Sequence, residues 1–323
     1  MKCLYYGSFW MGDNDIVNVM ADDLAELCEV TKIDLRAYSK QVDERIKVKL
    51  RTLNGHITIL DTKIIIEDII LHKPDIIILN SGGLCLEDEG FKYLKENNIK
   101  IIGLEMSDPD VYPYNGNVYA YKFDFYFTNS KYSFNYQYDK NKVNIKLMPF
   151  AASTKHHYYM PEINKIYDVV VVGHAREDRL RIVEKMIHYG FKVGTYGAGW
   201  TNNLGVVNGV EHVKAINTGK IYLSFAKTNA EYLNVKVGLF EAMACNTFVI
   251  TDYMEELNDY FTIDKEVVCY KNEKELVEKI HYYLENKEER EYIRRHSYTR
   301  FLNEHTYVHR WNCILNNINV LNY

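Results

Sequence analysis

The sequence predicts an α/β protein with two doubly wound halves, each a parallel sheet covered by helices on both faces. Three observations support this prediction. Short, nearly continuous apolar runs, such as residues 75–79 and 168–172, alternate with helical patterns, as expected of strands buried on both faces. This rhythm is interrupted at the polar and aromatic residues 151–166. The chain of 323 residues is also longer than most single domains.

In the first half, strands are predicted where apolar residues are continuous, and helices where they recur every three or four positions. The predicted strands are residues 2–6, 30–35, 75–79, 100–104, 123–127 and 145–148. The predicted helices are residues 15–28, 63–72 and 87–97. Pro74 ends the second of these helices.

The same pattern restarts in the second half. The predicted strands are residues 168–172, 192–196, 221–224, 248–251 and 267–270. The predicted helices are residues 177–189, 211–218, 239–245, 273–286, 288–305 and 307–317. The first domain is therefore expected to span residues 1–152 and the second residues 153–305.

Residues 306–323 are expected to form a helix that returns to the first domain. Their apolar stripe has helical spacing and consists of Tyr307, Trp311, Ile314 and Leu315. The two preceding helices can already cover the second sheet, so this stripe needs another surface. The alternative is that it completes the core of the second domain.

Composition and charge exclude several classes of protein. The net charge of -5 and the pI of about 6.1 predict no nucleic-acid partner. No apolar run approaches the roughly 20 residues of a membrane span, and the first ten residues do not resemble a signal peptide. The six cysteines form no C-x-x-C pair, which predicts free thiols in a reducing compartment. We expect a cytoplasmic protein.

Ligands of doubly wound sheets bind at the carboxyl ends of the strands, so the loops there are the candidate sites. Gly7 and Ser8 follow the first strand, where a glycine lets backbone amides approach a phosphate. A plain turn is the alternative. The loop lacks the G-x-G-x-x-G pattern, so a dinucleotide fingerprint is incomplete.

Three further loops in the second half carry candidate ligand-binding residues. Gly173 and Arg179 combine a close-approach glycine with a cation that can hold a diphosphate, although surface ion pairs would explain Arg179 equally. Gly199 follows the next strand. Gly209 and His212 lie in the loop before the following helix.

The most informative stretch is residues 236–245. Lys236 precedes a predicted helix whose N-terminal amides suit a diphosphate. Glu241, one turn inside, can accept hydrogen bonds from a ribose diol, as acidic residues do in nucleotide sites. Glu241 can equally be an ordinary acid near a helix start.

No metal or cofactor is expected. The strings Asp13-Asn-Asp15 and Asp108-Pro-Asp110 could chelate a divalent cation, but such strings are common at turns and Asp13 is a natural helix cap. A helix N-terminus and basic residues would make a metal unnecessary. The histidines show no H-x-x-x-H pair on a predicted helix, which argues against zinc.

Around Glu241, residues 240–245 and 247–252, then 275–284 and 305–310, resemble the CgeB-like glycosyltransferases, which are often described as spore-maturation proteins. Upstream pieces agree in order. They are Ser107-Asp-Pro109, Phe127-Thr-Asn129, residues 148–152, residues 167–173 with Arg179, and Tyr196-Gly-Ala-Gly-Trp200. The resemblance covers most of residues 73–310.

This resemblance implies a GT-B fold, in which two Rossmann-like domains face each other across a cleft. It further implies that the second domain binds a nucleotide-diphosphate sugar, with a UDP-sugar favoured. The acceptor, an unidentified glycan, protein or small molecule, would bind mainly to the first domain. The family's ribose-binding glutamate falls on Glu241 and its glycine on Gly173. Many relatives have a basic residue where this chain has Gly238, and Lys236 stands two residues earlier.

The expected function is a metal-independent glycosyltransferase of the hexosyltransferase type. The acceptor would enter from residues 7–14 and 105–114, and inversion would need a general base, for which Asp108 is the candidate. Asp108 could instead form only an Asp-Pro turn. The alternatives are a nucleotide-sugar epimerase on the same fold and a catalytically silent spore or surface protein that keeps the fold. A dehydrogenase ranks last.

Overall fold

A computed structural model describes residues 1–9, 15–36, 43–51, 56–80 and 83–318. The chain folds into two compact units. Unit 1 contains Met1–Phe150, the short segment Thr228–Tyr232 and the C-terminal segment that begins at Tyr307. Unit 2 contains Ala151–Lys227 and Leu233–Thr306.

The strands and helices alternate along most of the chain. The strands are β1 (Lys2–Gly7), β2 (Glu29–Asp34), β3 (Ile46–Arg51), β4 (His56–Leu60), β5 (Ile76–Asn80), β6 (Leu84–Leu86), β7 (Lys100–Glu105), β8 (Phe125–Thr128), β9 (Ile145–Leu147), β10 (Tyr167–Val172), β11 (Val193–Tyr196), β12 (Gly219–Ser224), β13 (Phe248–Asp252) and β14 (Val268–Tyr270). The helices are α1 (Ile16–Leu24), α2 (Thr62–His72), α3 (Asp88–Glu96), α4 (Gly116–Tyr119), α5 (Lys131–Tyr136), α6 (Glu177–His188), α7 (Val210–Asn217), α8 (Val237–Ala244), α9 (Glu273–Glu285), α10 (Lys287–Glu304) and α11 (Tyr307–Asn317).

The main sheet of unit 1 is parallel and has the order β2-β1-β5-β7-β8-β9. Its central strand β5 is buried along its whole length, which explains its continuous apolar sequence. Aspartates begin two of the covering helices: Asp15 accepts a hydrogen bond from the Val17 amide, and Asp61 accepts one from the Lys63 amide. These caps orient the helices against the sheet.

Unit 1 also contains helix α11, which packs against α1. The side chain of Trp311 is fully buried, and its indole N–H donates to the Met20 carbonyl at 2.8 Å. The Trp311 ring meets Tyr5 edge-on, with 6.4 Å between the centroids. Arg310 donates to the carbonyl of Pro149. The apolar stripe of α11 is therefore part of the core of unit 1.

The sheet of unit 2 is parallel and has the order β11-β10-β12-β13-β14. After β10 the chain continues to β11 on one side of the sheet, and after β12 it continues to β13 on the other side. The neighbouring strands β10 and β12 therefore lie on either side of a topological switch point. In doubly wound sheets, a crevice for ligands forms at this point, outside the carboxyl ends of the strands. In unit 2 the crevice is expected next to Gly173, which follows β10.

The predicted α/β class with parallel sheets is confirmed. The prediction overlooked β3, β4 and β6, which form a separate small sheet in which β3 and β4 are antiparallel. The signal was present, because Ile46, Val48 and Leu50 alternate with basic residues. All six cysteines are free thiols. Within the described residues, no helix combines the length and the apolarity that crossing a bilayer requires.

Candidate functional site

The loops that follow β10 and β11 contact each other at the carboxyl edge of the unit 2 sheet. The indole N–H of Trp200 donates to the Gly173 carbonyl at 2.7 Å. A Cβ atom at Gly197 would lie 2.2 Å from that same carbonyl oxygen, so only glycine allows this approach. Gly173 has a φ of +136°, and Gly199 lies against Ala175. Because these glycines have no side chains, the backbones of the two loops pack closely together beside the switch point.

Arg179, in the first turn of α6, places a cation beside these glycine-containing loops. Its Nη1 donates to the His174 carbonyl at 2.9 Å, and its guanidinium lies 5.4 Å from the centroid of the Phe225 ring. Its Nε is buried and finds no hydrogen-bond partner among the residues that the structure describes. Burial, and then the neighbouring Arg176, lower the pKa of Arg179 from its ordinary value. A fixed cation with an unused buried donor is suited to bind an anion.

The N-terminus of α8 is the second feature suited to an anion. Lys236 is the N-cap residue of this helix, and its side chain makes no capping hydrogen bond. At Gly238, a Cβ atom would lie 2.6 Å from the buried hydroxyl of Tyr222. This contact explains why a glycine stands where the resembled family often has a basic residue, since any side chain there would displace Tyr222.

Glu241 lies inside α8 and is 8% exposed. Its Oε2 is 3.2 Å from Nε2 of His212, and its Oε1 is 3.5 Å from Nε2 of His157. Burial raises the pKa of the Glu241 carboxyl, but the two imidazoles outweigh burial and bring the pKa below its ordinary value. Glu241 is therefore a buried carboxylate that stays ionised at neutral pH.

The two histidines beside Glu241 differ in charge. Burial lowers the pKa of His157 to about 4, so this imidazole is neutral at pH 7. Burial also lowers the pKa of His212, but the Glu241 carboxylate outweighs it and raises the pKa above its ordinary value. Asn217 of α7 holds the segment after His157, because it donates to the Tyr158 carbonyl and accepts from the Met160 amide. This anchoring fixes His157 beside the carboxylate.

The three ligand atoms of His157, His212 and Glu241 lie within 4.8 Å of one another. Two imidazoles and a carboxylate are a donor set that zinc accepts. The contact between His212 and Glu241 at 3.2 Å is equally that of a hydrogen-bonded ion pair. The expectation that no metal is required therefore stays a prediction from the sequence.

The donor candidates from the sequence fall in both units. In unit 2, His212 and Glu241 meet directly, and Gly209 caps the α7 helix that carries His212. Gly7 and Ser8 belong to unit 1, where a Cβ atom at Gly7 would lie 2.5 Å from Val17. Residues 10–14, which include Asp13, lie outside the described residues. Sequence reasoning missed His157, because no spacing pattern links it to Glu241.

Asp108 is buried in unit 1, with an exposure of 2%. Its Oδ2 accepts hydrogen bonds from the hydroxyls of Thr128 at 2.7 Å and Tyr138 at 2.8 Å. Burial raises the pKa of Asp108 to about 7, and burial with the nearby Asp108 charge raises that of Glu105 to about 8. These contacts fix Oδ2 of Asp108, and both the general-base and the turn-forming interpretation of Asp108 stay predictions.

The two aspartates of the Asp108-Pro-Asp110 string do not act together. Asp110 accepts hydrogen bonds from the backbone amides of Asn229 at 3.0 Å and Ala230 at 2.8 Å, in the short segment of unit 1 that follows residue 227. Asp108 is occupied by the hydroxyls of Thr128 and Tyr138. Each carboxylate thus has its own partners, which agrees with the interpretation of this string as turn residues.

Comparison with known proteins connects this geometry to an enzyme class. Residues 176–316 match a family model described as "Glycosyl transferase-like". This region includes most of unit 2 and α11, so it contains Arg179, Lys236 and Glu241. No curated protein sequence is significantly similar to the chain.

Solved structures match the whole chain at low sequence identity. A sucrose-phosphate synthase from Thermosynechococcus elongatus is 11% identical, with a TM-score of 0.62 over 99% of this chain and 98% of that one. A glycosyltransferase from Rickettsia africae is 12% identical, with a TM-score of 0.60 over 100% and 99%. The Anabaena protein HepE, solved with UDP and glucose, is 11% identical, with a TM-score of 0.63 over 99% and 100%.

At these identities, the structural matches establish the fold, which is that of GT-B glycosyltransferases. The family match adds a sequence signal in the region that contains the carboxyl-edge site of unit 2. Together these findings support an enzyme of the glycosyltransferase class.

Proposed function

We propose that this protein transfers a sugar from a nucleotide-diphosphate sugar to an acceptor hydroxyl and that unit 2 binds the nucleotide. The observation that carries the proposal is the ionised, buried Glu241 on α8, a helix whose N-cap residue, Lys236, makes no side-chain capping hydrogen bond. Arg179, with its unused donor, lies in the first turn of α6, which follows β10 at the same sheet edge. A carboxylate for the ribose and positive groups for the diphosphate are what such a donor needs.

The diphosphate would bind to the amides of the α8 N-terminus and to Arg179. Helix N-termini bind phosphates because their free N–H groups and the helix dipole favour negative charge. A guanidinium donates two parallel hydrogen bonds to a phosphate. The buried Nε of Arg179 would gain the acceptor that it lacks.

The ribose would bind to Glu241 through its two hydroxyl groups. An ionised carboxylate accepts two such hydrogen bonds, whereas a protonated one would donate as well as accept. His212 favours the charged carboxylate, and His157 and His212 together hold its orientation. They are positioning residues, since they act on the substrate through Glu241.

In the transfer step, the bond between the sugar C1 and the diphosphate oxygen breaks, and its electron pair stays on the leaving UDP. The acceptor oxygen forms a new bond to C1, and its proton passes to a general base beside the acceptor or, where no such base acts, to the departing diphosphate. The helix N-terminus and Arg179 would stabilise the negative charge that develops on the leaving phosphate. Because these groups supply positive charge, we propose that the reaction needs no divalent metal.

A UDP-sugar is the favoured donor, since the HepE structures contain UDP or UDP-glucose. Within the glycosyltransferases, we propose membership of the CgeB-like group, which rests on the resemblance around Glu241. The acceptor side is proposed for unit 1. Its hydroxyl group could belong to a glycan, a protein or a small molecule.

Calorimetric titration with UDP tests this proposal. We expect UDP to bind, and Arg179→Gln to weaken its affinity by about 10- to 100-fold, as expected for the loss of charged hydrogen bonds. Arg181→Gln is the matched control, since Arg181 lies on the same helix and pairs with Glu273 at the surface. Equal affinity in both variants would contradict the proposed diphosphate site.

Incubation of a UDP-sugar without acceptor separates the transferase from the alternatives. A transferase is expected to leave the donor intact or to hydrolyse it slowly to UDP and free sugar. An isomerised UDP-sugar would instead indicate an epimerase. If no nucleotide diphosphate or nucleotide sugar binds, the protein is catalytically silent.

A further inference from the structure

A cavity of about 480 Å³ opens at the amino edge of the unit 2 sheet. Its lining comes from residues just before β10 and β13, from the start of β12 and from the junction of α9 and α10. The site proposed for the nucleotide lies at the carboxyl edge of the same sheet. The strands between the two edges have up to six residues, which separates them by roughly 15–20 Å.

The cavity is lined mainly by cations. The charged side chains that line it are Lys165, Lys220, Lys287, Arg290, Arg294 and Glu291. Arg294 pairs with Glu291 at 2.8 Å, and Lys220 pairs with Asp168 at 2.8 Å. In the part of the chain that the structure describes, none of the other three cations forms an ion pair. Three positive charges therefore share one cavity without a carboxylate partner.

Neutral oxygen atoms hold two of these cations in place. Arg290 is 7% exposed, and its Nη1 donates to the carbonyls of Tyr283 and Leu284 at the end of α9. Lys165 Nζ lies 3.3 Å from the Thr247 hydroxyl. Neutral acceptors orient these side chains but do not neutralise them, so their mutual repulsion remains. An anion in the cavity would remove this repulsion.

Lys165 shows the effect of this crowding directly. Burial, followed by the charge of Arg294, lowers its pKa to about 8. Cys245 and Glu291 raise this pKa, but less than burial and Arg294 lower it, and Arg290 lowers it slightly further. A bound anion would stabilise the charged ammonium and raise this pKa.

We propose that this cavity is a second ligand site, separate from the nucleotide site, that binds a small phosphate-bearing polyanion. The guanidinium groups of Arg290 and Arg294 match the geometry of phosphate oxygens, and the lysines add compact positive charges. The volume falls in the range of small-molecule pockets and exceeds what a single inorganic ion needs. A phosphorylated sugar or an oligophosphate has this size and charge.

Isothermal titration of the full chain with inorganic pyrophosphate tests the proposal. We expect pyrophosphate to bind the parent protein, Lys165→Met to weaken the affinity at least about tenfold, and Lys287→Gln to weaken it about threefold or more. Lys287 is exposed at the start of α10, so its variant keeps the test valid if Lys165→Met does not fold. Lys274→Gln is the matched control, because Lys274 is an exposed lysine on α9 outside the cavity.

A further variant separates this cavity from the nucleotide site. Arg179→Gln is expected to leave binding at the amino-edge cavity unchanged. If Arg179→Gln abolishes pyrophosphate binding and the lysine variants do not, the ligand occupies the nucleotide site and the proposal is wrong. Failure of the parent protein to bind, or equal affinity in all variants, would also overturn it.

Proton uptake gives a readout that general charge screening would not produce. At pH 8, binding is expected to take up a fraction of a proton, because Lys165 becomes more fully charged. Titrations in two buffers with different ionisation enthalpies measure this uptake, and Lys165→Met should abolish it. Unchanged uptake in that variant would exclude Lys165 from the site.

Vesicle flotation distinguishes a free ligand from a lipid headgroup. We expect no binding to phosphatidylcholine vesicles with or without phosphatidylglycerol. Flotation that requires phosphatidylglycerol and is lost in Lys287→Gln, without pyrophosphate binding in solution, would overturn the small-molecule source in favour of a lipid phosphate.

Discussion

Unit 1 and unit 2 each bury a carboxyl group beyond the carboxyl ends of a parallel sheet, but the two groups have different neighbours. Asp108 in unit 1 is surrounded by two hydroxyls and by a second acid, Glu105. Glu241 in unit 2 lies between two imidazoles. The pKa of Asp108 is raised to about 7, whereas that of Glu241 is lowered. Two similarly buried carboxyl groups thus have pKa values that are shifted in opposite directions.

The difference shows that the groups around a buried carboxyl, more than the extent of its burial, determine whether it is ionised at neutral pH. The hydroxyls of Thr128 and Tyr138 do not outweigh burial at Asp108, and the Asp108 charge adds to burial at Glu105. Both pKa values are therefore raised, and we expect the pair to serve the local structure. Glu241 has imidazole partners and keeps its charge, so it is available to accept hydrogen bonds from a ligand. From this comparison we expect a structural role for the Asp108 cluster and a binding role for Glu241.

Asp108→Ala should produce the largest effect in this comparison, and it should act on stability alone. It leaves the buried hydroxyls of Thr128 and Tyr138 without their acceptor, so we expect the free energy of unfolding to fall by about 2–4 kcal/mol. UDP affinity should not change. Urea denaturation and calorimetry measure the two quantities.

Asp108→Asn is the matched control, because its amide oxygen still accepts hydrogen bonds. Its loss of stability should be clearly smaller than that of the alanine variant. If either variant kept full stability and UDP affinity but lost sugar transfer, Asp108 would be the general base after all.

The second prediction concerns the pH dependence of stability between pH 6.5 and 8. A carboxyl whose folded-state pKa is raised stabilises the fold while it is protonated, and that contribution is lost as the pH rises through the folded pKa. For Asp108 and Glu105 these pKa values are about 7 and about 8. We expect the parent protein to lose about 1–3 kcal/mol over this range.

The change can be followed by urea denaturation at several pH values. The raised pKa of His212 adds to this loss, whereas the lowered pKa values of His157 and Lys165 oppose it. The difference between the parent and Asp108→Asn therefore isolates the Asp108 contribution. Asp108→Asn should flatten the pH dependence. A parent protein whose stability rises across this range would contradict the account of unit 1.

The third prediction, with the smallest expected effect, concerns the cluster of His157, His212 and Glu241. If these residues serve as an ion pair and a positioned carboxylate, EDTA should change neither UDP affinity nor the rate of sugar transfer. Activity assays and calorimetry in EDTA check this. Loss of transfer in EDTA that manganese, magnesium or zinc restores would show that the cluster binds a required metal.

Much of the fold could be predicted from the sequence, since parallel strands buried on both faces have a continuous apolar pattern. The strand at residues 75–79 and its observed counterpart β5 (Ile76–Asn80) differ by one residue at each end. The small β3-β4-β6 sheet was overlooked, although β3 alternates apolar and basic residues. Its strand β6 has only three residues, too few to show a period. Short strands at the edge of a domain carry little periodic signal.

The site was partly predictable for a related reason. Glu241 lies in a helix that follows a basic residue, and this local pattern can be recognised in the sequence. The imidazole of His157 reaches it only through tertiary folding, from a segment anchored by Asn217. The burial of Asp108 could not be predicted from the sequence either, because its partners Thr128 and Tyr138 lie elsewhere in the chain.

Calorimetric titration of Glu241→Gln with UDP tests the central claim most directly, with Glu278→Gln as a control for removing an exposed acid from unit 2. The account predicts that Glu241→Gln weakens UDP binding by about 1–3 kcal/mol, while the control binds as the parent does. Circular dichroism should show that both variants remain folded. Unchanged UDP affinity in a folded Glu241→Gln protein would contradict the claim that this buried carboxylate binds the nucleotide.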